Sequence, residues 1–389
     1  MERSGSVGPR KDRPAGAPSP SGPTPRTPAL PAVSHDSCNR GRSNGPDPAA
    51  ATPSVTDAGR RLPGSLRAGL LACAPLLGAC GGPQSALTTA SATAERIAHL
   101  WWWMAAGAAV LWVLVVGLAT YAVLVRPGKH GERASRLLIV GGGAVLPTVV
   151  LTGLLIYGLA FIPELLEPGP EDGLRIEVVG EQWWWRVRYV TPDGSVVEAA
   201  NEVRLPVGRR VELRLSSPDV IHSFWIPSLG GKMDMIPGRT TRIALEPGRT
   251  GVFRGACAEY CGASHALMAF DAVVLAEADF QAWLDHQAEP AATPGSGPAS
   301  RGRDAFLRNG CGACHTVRGT PADGVVGPDL THVGSRLSLA AGTLPNEPEA
   351  FRRWIARTGE VKPGVHMPAF GMLPGEEVRA LAAYMESLQ

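Results

Sequence analysis

A chain of 389 residues is long enough for two or three domains, and its mixture of Trp-rich apolar runs with Gly- and Pro-rich stretches argues against one uniform globule. Thirty-seven basic against 35 acidic residues leave a formal net charge of +2, which gives no footprint for a nucleic-acid partner. Four of the seven cysteines fall in two tight pairs, Cys257/Cys261 and Cys311/Cys314, each with a nearby histidine; that is ligand spacing rather than a disulfide framework.

Residues 1–59 are rich in Pro, Gly, Ser and Ala and have almost no periodic apolar positions. They cannot bury enough surface to offset the entropy of ordering, so a disordered extension is expected. The alternative is a true start further in, near Val55, because residues 60–80 read as the beginning of a secreted chain. Arg60, Arg61 and Arg67 precede the short apolar run 68–79, and Leu77-Gly78-Ala79 leads into Cys80, the pattern of a lipidated cysteine. A buried segment with incidental cysteines is the plainer reading of the same residues.

Two nearly charge-free stretches follow, at about 99–125 and 137–162, each exceeding the ~20 residues needed to cross a bilayer. Trp101, Trp102 and Trp103 at the start of the first fit an interfacial aromatic belt. The connecting loop carries Arg126, Lys129, Arg133 and Arg136 against Glu132, which places it in the cytoplasm and everything after residue 163 on the outer face. Pro147 is expected to interrupt the second helix.

From about 172 to 288 the pattern changes to short runs with β character, at 174–179, 183–190, 211–215, 241–245 and 272–275, separated by Pro/Gly/Asp turns; an antiparallel sandwich or barrel is predicted. Residues 289–300 read as a Pro/Gly linker, and 301–389 as a small helical domain whose final helix puts Val378, Leu381, Ala382, Met385 and Leu388 on one face.

Within the β segment, Cys257-Ala-Glu-Tyr-Cys261-Gly-Ala-Ser-His265-Ala-Leu-Met268 gathers two thiols, an imidazole and a thioether in one loop, with His222 earlier on another strand. Soft sulfur with imidazole suits copper. One Cys, two His and a Met would make a mononuclear site, and the second thiolate can bridge a second copper. Zinc is the competitor, but it has no use for Met268. In the last segment, Cys311-Gly-Ala-Cys314-His315 is the CxxCH pattern of covalent haem attachment, two thioethers and an axial histidine.

The loop 257–268, together with Val220-Ile-His222-Ser-Phe-Trp-Ile-Pro227, resembles the CuA domain of cytochrome c oxidase subunit II, over about residues 80–288. The resemblance implies a cupredoxin-like barrel behind a two-helix transmembrane hairpin. It implies His222, Cys257, Cys261, His265 and Met268 as ligands of a binuclear copper, with Glu259 giving a main-chain carbonyl to one copper and its carboxylate to a Mg ion shared with subunit I. Gln182-Trp183-Trp184-Trp185 resembles the family's aromatic patch, with Trp183 the residue through which electrons enter; strand packing is the plain alternative for Trp184 and Trp185. Gly231-Lys-Met-Asp234-Met-Ile-Pro-Gly238 resembles the loop beside the haem propionates of subunit I. The chain departs from many members at 137–144, where it has no acidic residue at the position of a proton-channel glutamate.

Residues 301–389 resemble a class I cytochrome c. Met367, in Met367-Pro-Ala-Phe370, matches the axial-methionine loop, with Met372 and His366 as rivals, and the Pro328 carbonyl matches the acceptor for the proximal histidine. His332 reads as a surface residue. Together the resemblances imply an oxidase subunit in the bacterial inner membrane with both redox domains on the periplasmic face. It would pass electrons from soluble cytochrome c or an upstream complex through haem c and CuA to subunit I, with subunit III alongside and protons pumped. The alternatives are a quinol-oxidase subunit, which lacks the copper ligands, and a membrane-tethered carrier feeding a different reductase. The paired transmembrane helices favour the oxidase.

Overall fold

Helix α1, Ala92–Leu124, starts where Ser91 caps it: the Ser91 hydroxyl accepts from the Ala94 N–H at 3.0 Å and donates to the Leu229 carbonyl at 2.7 Å. The computed structural model describes residues 82, 84–125, 131–170 and 173–389, so the expectations for 1–59, for the signal segment and for Cys80 lie outside the described residues. The helix begins seven residues before the apolar run, because Ala94 and Ala98 are buried while Glu95, Arg96 and His99 break the hydropathy signal without breaking the helix. At 33 residues it is about 50 Å long, more than the ~30 Å hydrocarbon layer, and so reaches past the bilayer to the β domain.

The second membrane segment opens with α2, Glu132–Arg136, widens into a π-helical stretch, Leu137–Val145, and continues as α3, Leu146–Leu166. The interruption expected at Pro147 takes the form of this wide-turned stretch, which contains three consecutive glycines and ends one residue before the proline's own turn. Both segments have a mean hydropathy of 2.2 over an apolar window that is wholly unburied. Both are long and apolar enough to cross a membrane. The start of α1 and the end of α3 both meet the β domain: Ala90 N–H donates to the Ser228 carbonyl at 2.7 Å, and Leu165 and Leu166 line a small cavity with Glu212 and Ile243.

The β domain is a sandwich of two five-stranded sheets. One sheet has the order β3-β2-β1-β5-β8, from Val196–Ala200, Trp184–Val190, Arg175–Glu181, Val211–Ser216 and Thr241–Leu245. The other has the order β4-β10-β9-β6-β7, from Glu202–Pro206, Ala269–Leu275, Gly251–Cys257, His222–Trp225 and Met233–Met235. Between them Trp185, Tyr189, Phe224, Phe270, Leu205 and Leu213 are fully buried, with Phe224 stacked on Phe270 at 4.7 Å. Strand β9 passes Phe270 so closely that a Cβ at Gly255 would lie 2.1 Å from the ring. Helix α4, Glu277–Ala288, closes one end by setting Phe280 and Trp283 against Tyr189.

The last segment is helical, as expected, with α5 at Pro298–Arg308, α6 at Pro348–Ala356, the short α7 at Thr358–Val361 and α8 at Gly375–Ser387. All five apolar residues assigned to the face of the final helix are buried. Helices α5 and α8 cross with almost no gap, since a Cβ on Gly302 would lie 1.9 Å from the Ala380 carbonyl oxygen. The expected linker is partly structured: its last three residues begin α5, and Ala291 N–H donates to the Arg318 carbonyl at 2.9 Å. A two-stranded hairpin, β11 (Ser338–Leu339) with β12 (Leu344–Pro345), projects toward the β domain.

Candidate metal and haem centres

Strand β6 lies between β9 and β7 in the second sheet, so that His222 and Cys257 come together, and the loop leaving β9 returns Cys261, His265 and Met268 to the same point. The sulfurs of Cys257 and Cys261 lie 3.8 Å apart; His222 Nδ1 is 3.8 Å from Cys257 Sγ, His265 Nδ1 is 3.5 Å from Cys261 Sγ, and Met268 Sδ is 3.8 Å from Cys261 Sγ. The Glu259 carbonyl lies 3.2 Å from Cys257 Sγ. All six residues named from the sequence thus converge. The ligand atoms of His222, Cys257 and Cys261 fall within 4.8 Å of one another, and all three residues are buried.

Two thiols this close cannot both lose their protons unaided. The hydrogen bond from Cys261 holds the Cys257 thiol well below its ordinary range, against the opposing effect of burial, and the same contact pushes Cys261 up. A pair of cations would remove that conflict, and the surrounding imidazoles, thioether and main-chain oxygen are donors that suit copper. The residues fit a binuclear copper site.

Sequence reasoning missed Asp219. Its carboxylate bonds His222 Nε2 at 2.9 Å and also accepts from the Gln182 N–H at 2.7 Å, which fixes the ring so that Nδ1 points at the sulfurs. Burial works to lower the His222 pKa, but its bonds to Cys257 and Asp219 outweigh that and hold it raised. Opposite the ring the strand packs tightly, since a Cβ at Gly180 would lie 3.0 Å from His222 Cγ. An acid three residues before a candidate ligand histidine was the available signal.

Trp183 sits at the corner before β2 rather than within it. It is 6% exposed and its Nε1 donates to the Cys261 carbonyl at 2.9 Å, so it touches the main chain of a candidate ligand. Trp185 is a core residue, whereas Trp184 is half-buried under the Arg186 guanidinium, 4.7 Å from its ring centre. The Glu259 carboxylate faces outward, 3.6 Å from Lys232 Nζ, which also bonds Asp234 at 2.7 Å. A Mg ion at Glu259 would have to displace that ammonium.

In the helical domain, Cys311 is half-buried and Cys314 exposed. His315 Nδ1 donates to the Pro328 carbonyl at 2.8 Å, which leaves Nε2 for iron, and burial depresses its pKa and keeps the ring neutral. The ring lies against the main chain at Gly327, where a Cβ would come within 2.5 Å of Cε1. Met367 is half-buried, with its carbonyl held by Thr358 Oγ1 at 3.0 Å, whereas Met372 is 77% exposed and His366 is exposed. This donor set fits a haem held by two thioethers, a histidine and Met367.

His332 corrects the sequence reading. It is 2% exposed, not a surface residue; Nδ1 bonds the Gln389 main-chain oxygen at 2.7 Å and Nε2 the Glu289 carbonyl at 3.0 Å, tying the linker to the end of the chain. Nothing in its local sequence distinguishes a histidine used this way from a solvated one.

Comparison with known proteins gives two matched families: cytochrome c oxidase subunit II, periplasmic domain, over residues 191–275, and cytochrome c, over residues 299–389. Cytochrome c oxidase subunit 2 of Alkalihalophilus pseudofirmus is 38% identical over 265 residues, covering 67% of this chain and 75% of the relative. This chain belongs to the cytochrome c oxidase subunit II family. The Bacillus subtilis subunit 2 is 31% identical over 267 residues, covering 63% of this chain and 73% of the relative. The crystal structure of the periplasmic domain of subunit II from Bradyrhizobium japonicum is 32% identical, covering 30% of this chain and 95% of that one, with a TM-score of 0.28. Membership makes the chain a haem–copper oxidase subunit, with the copper chemistry in the β domain and the haem in the helical one.

Proposed function

We propose that this chain is the electron-receiving subunit of a bacterial inner-membrane cytochrome c oxidase, with both redox domains on the periplasmic face. Electrons come from a soluble cytochrome c or an upstream complex to the helical domain, cross to the β domain and leave for subunit I, where oxygen is reduced to water and protons are pumped. The observation that carries this reading is the convergence of six candidate copper ligands in the same chain as a CxxCH motif whose histidine is bonded to the Pro328 carbonyl. Copper and haem, when bound, supply one-electron chemistry with little change in bonding.

The protein's own residues set the geometry. His222, Cys257, Cys261, His265, Met268 and the Glu259 carbonyl would hold two coppers, with the ring of His222 aimed by Asp219. Cys311 and Cys314 would hold a haem through thioethers, and His315 and Met367 would ligate its iron. Trp183 spans the gap between the domains. The Glu259 carboxylate holds a Mg ion only once Lys232 is drawn away, for which docking onto subunit I is the natural occasion. Subunit III completes the complex.

Cys257→Ser in the assembled oxidase tests the route. It is expected to abolish the copper signal and oxygen uptake while the haem domain is still reduced by its donor. Undiminished oxygen uptake in a chain lacking the copper signal would refute it.

A further inference from the structure

The two redox domains meet through an interface that covers Trp183. The segment 362–364 of the helical domain lies on the tryptophan's six-membered ring: a Cβ at Gly364 would stand 2.8 Å from Cη2 and 3.0 Å from Cζ3. Gly364 has φ +81°, so both its backbone and its contact exclude a side chain. One residue earlier, the Pro363 carbonyl accepts from the Ser264 hydroxyl at 2.6 Å, and Ser264 is fully buried beside the candidate ligand His265. Lys362 is 2% exposed, and its ammonium donates to the Ala340 carbonyl at 3.0 Å.

A second pad comes from the turn between β11 and β12. Ala340, Ala341 and Gly342 are all left-handed, with φ of 51°, 57° and 75°, a run that alanines adopt only when their surroundings hold them. The β domain does the holding: Ala269 N–H donates to the Ala341 carbonyl at 3.1 Å, and the Arg254 guanidinium donates to the Gly342 carbonyl at 2.6 Å. Arg186 donates to the Val325 carbonyl at 2.9 Å at a third point. Transient donor docking relies on exposed rim charges that steer and release. Here buried or half-buried donors, Ser264, Arg186, Arg254 and the Ala269 N–H, bond main-chain carbonyls of fixed position, the character of a permanent interface.

We infer that the segment 362–364 is a built-in cap on Trp183, which closes the copper domain to any soluble carrier and makes the haem domain its obligatory electron source. The inference rests on the proposed role of Trp183 and adds the exclusion of outside donors. Each transfer moves one electron with no bond or proton exchanged: the soluble carrier is oxidised as the haem domain is reduced, and the haem domain is reoxidised as the copper domain is reduced. Gly364 is a positioning residue in this scheme.

Hydroxyl-radical labelling of the full chain, read by peptide mass spectrometry, tests the cap without any turnover. In the native chain Trp183 is expected to label no faster than Trp185, which is fully buried. Gly364→Val should raise Trp183 labelling severalfold and leave Trp185 unchanged, and Gly359→Ala, where a Cβ meets nothing within 4 Å, should change neither. In the copper- and haem-loaded chain, flash reduction of the haem should show the same Gly364→Val change slowing transfer to copper severalfold, with both spectra intact. Ser264→Ala, which removes a single hydrogen bond, gives a smaller change in the same direction should the valine variant misfold. Trp183 labelling well above that of Trp185 in the native chain overturns the inference, and so does direct reduction of copper by a soluble cytochrome c faster than haem reoxidation. A native chain with no copper signal would defeat the functional reading while leaving the labelling result to stand.

Discussion

Replacing Lys362 by methionine should stabilise the docked chain at neutral pH, and the gain should vanish in base. Burial depresses the Lys362 pKa from 10.5 to about 7, outweighing the opposing effect of the candidate ligand Cys261. Because the unfolded chain binds this proton more tightly, it carries more protons than the folded chain between those two values. Stability therefore rises with pH across that window, by up to ~1.4 kcal/mol per unit, and is lost as the pH falls toward 7. At pH 7 the summed cost is ~4 kcal/mol. Methionine removes that cost and the bond to Ala340, worth ~1 kcal/mol, so a net gain of ~3 kcal/mol is expected. Denaturant unfolding of the full chain, followed by haem absorbance, should show the variant ahead at pH 7 and level with the native chain by pH 10. Identical pH slopes in the two proteins would refute the reasoning.

Asp219→Asn leaves His222 Nε2 without its carboxylate and should weaken copper retention by ~10–100-fold, measured by chelator competition, with the circular dichroism unchanged. Gly327→Ala places a methyl against the His315 ring and should convert the haem to a spectrum lacking its axial histidine while Cys311 and Cys314 keep it attached; an unaltered spectrum counts against the assigned ligand. Gly302→Ala forces α5 off α8 and should cost ~2–3 kcal/mol, seen as a drop in Tm of the haem domain; a change within error would mean the crossing is looser than the structure shows.

The membrane helices were legible because ~20 uncharged apolar residues have few other uses, and five strands were legible through their β-branched runs. Strands β6 and β7 escaped because they are four and three residues long, and β9 because two glycines and an arginine break its pattern, one glycine being there to let Phe270 pass. The copper and haem residues announced themselves by clustering in short loops. Asp219 did not, since a single aspartate in a Ser-Pro-Asp turn reads as a turn residue. The contact between the domains was invisible in the sequence for a physical reason: several of the recognised groups are main-chain carbonyls, those of Ala341, Gly342, Val325 and Pro363, whose positions only the fold sets.

The central claim is that one chain carries a copper pair and a haem c that act in series. The most direct measurement is a combined optical and electron paramagnetic resonance spectrum of the purified chain during stepwise reduction. A haem c α band together with the multi-line signal of a mixed-valence copper pair is the predicted result. A haem c band with no such copper signal in the copper-supplied, correctly folded chain would contradict it.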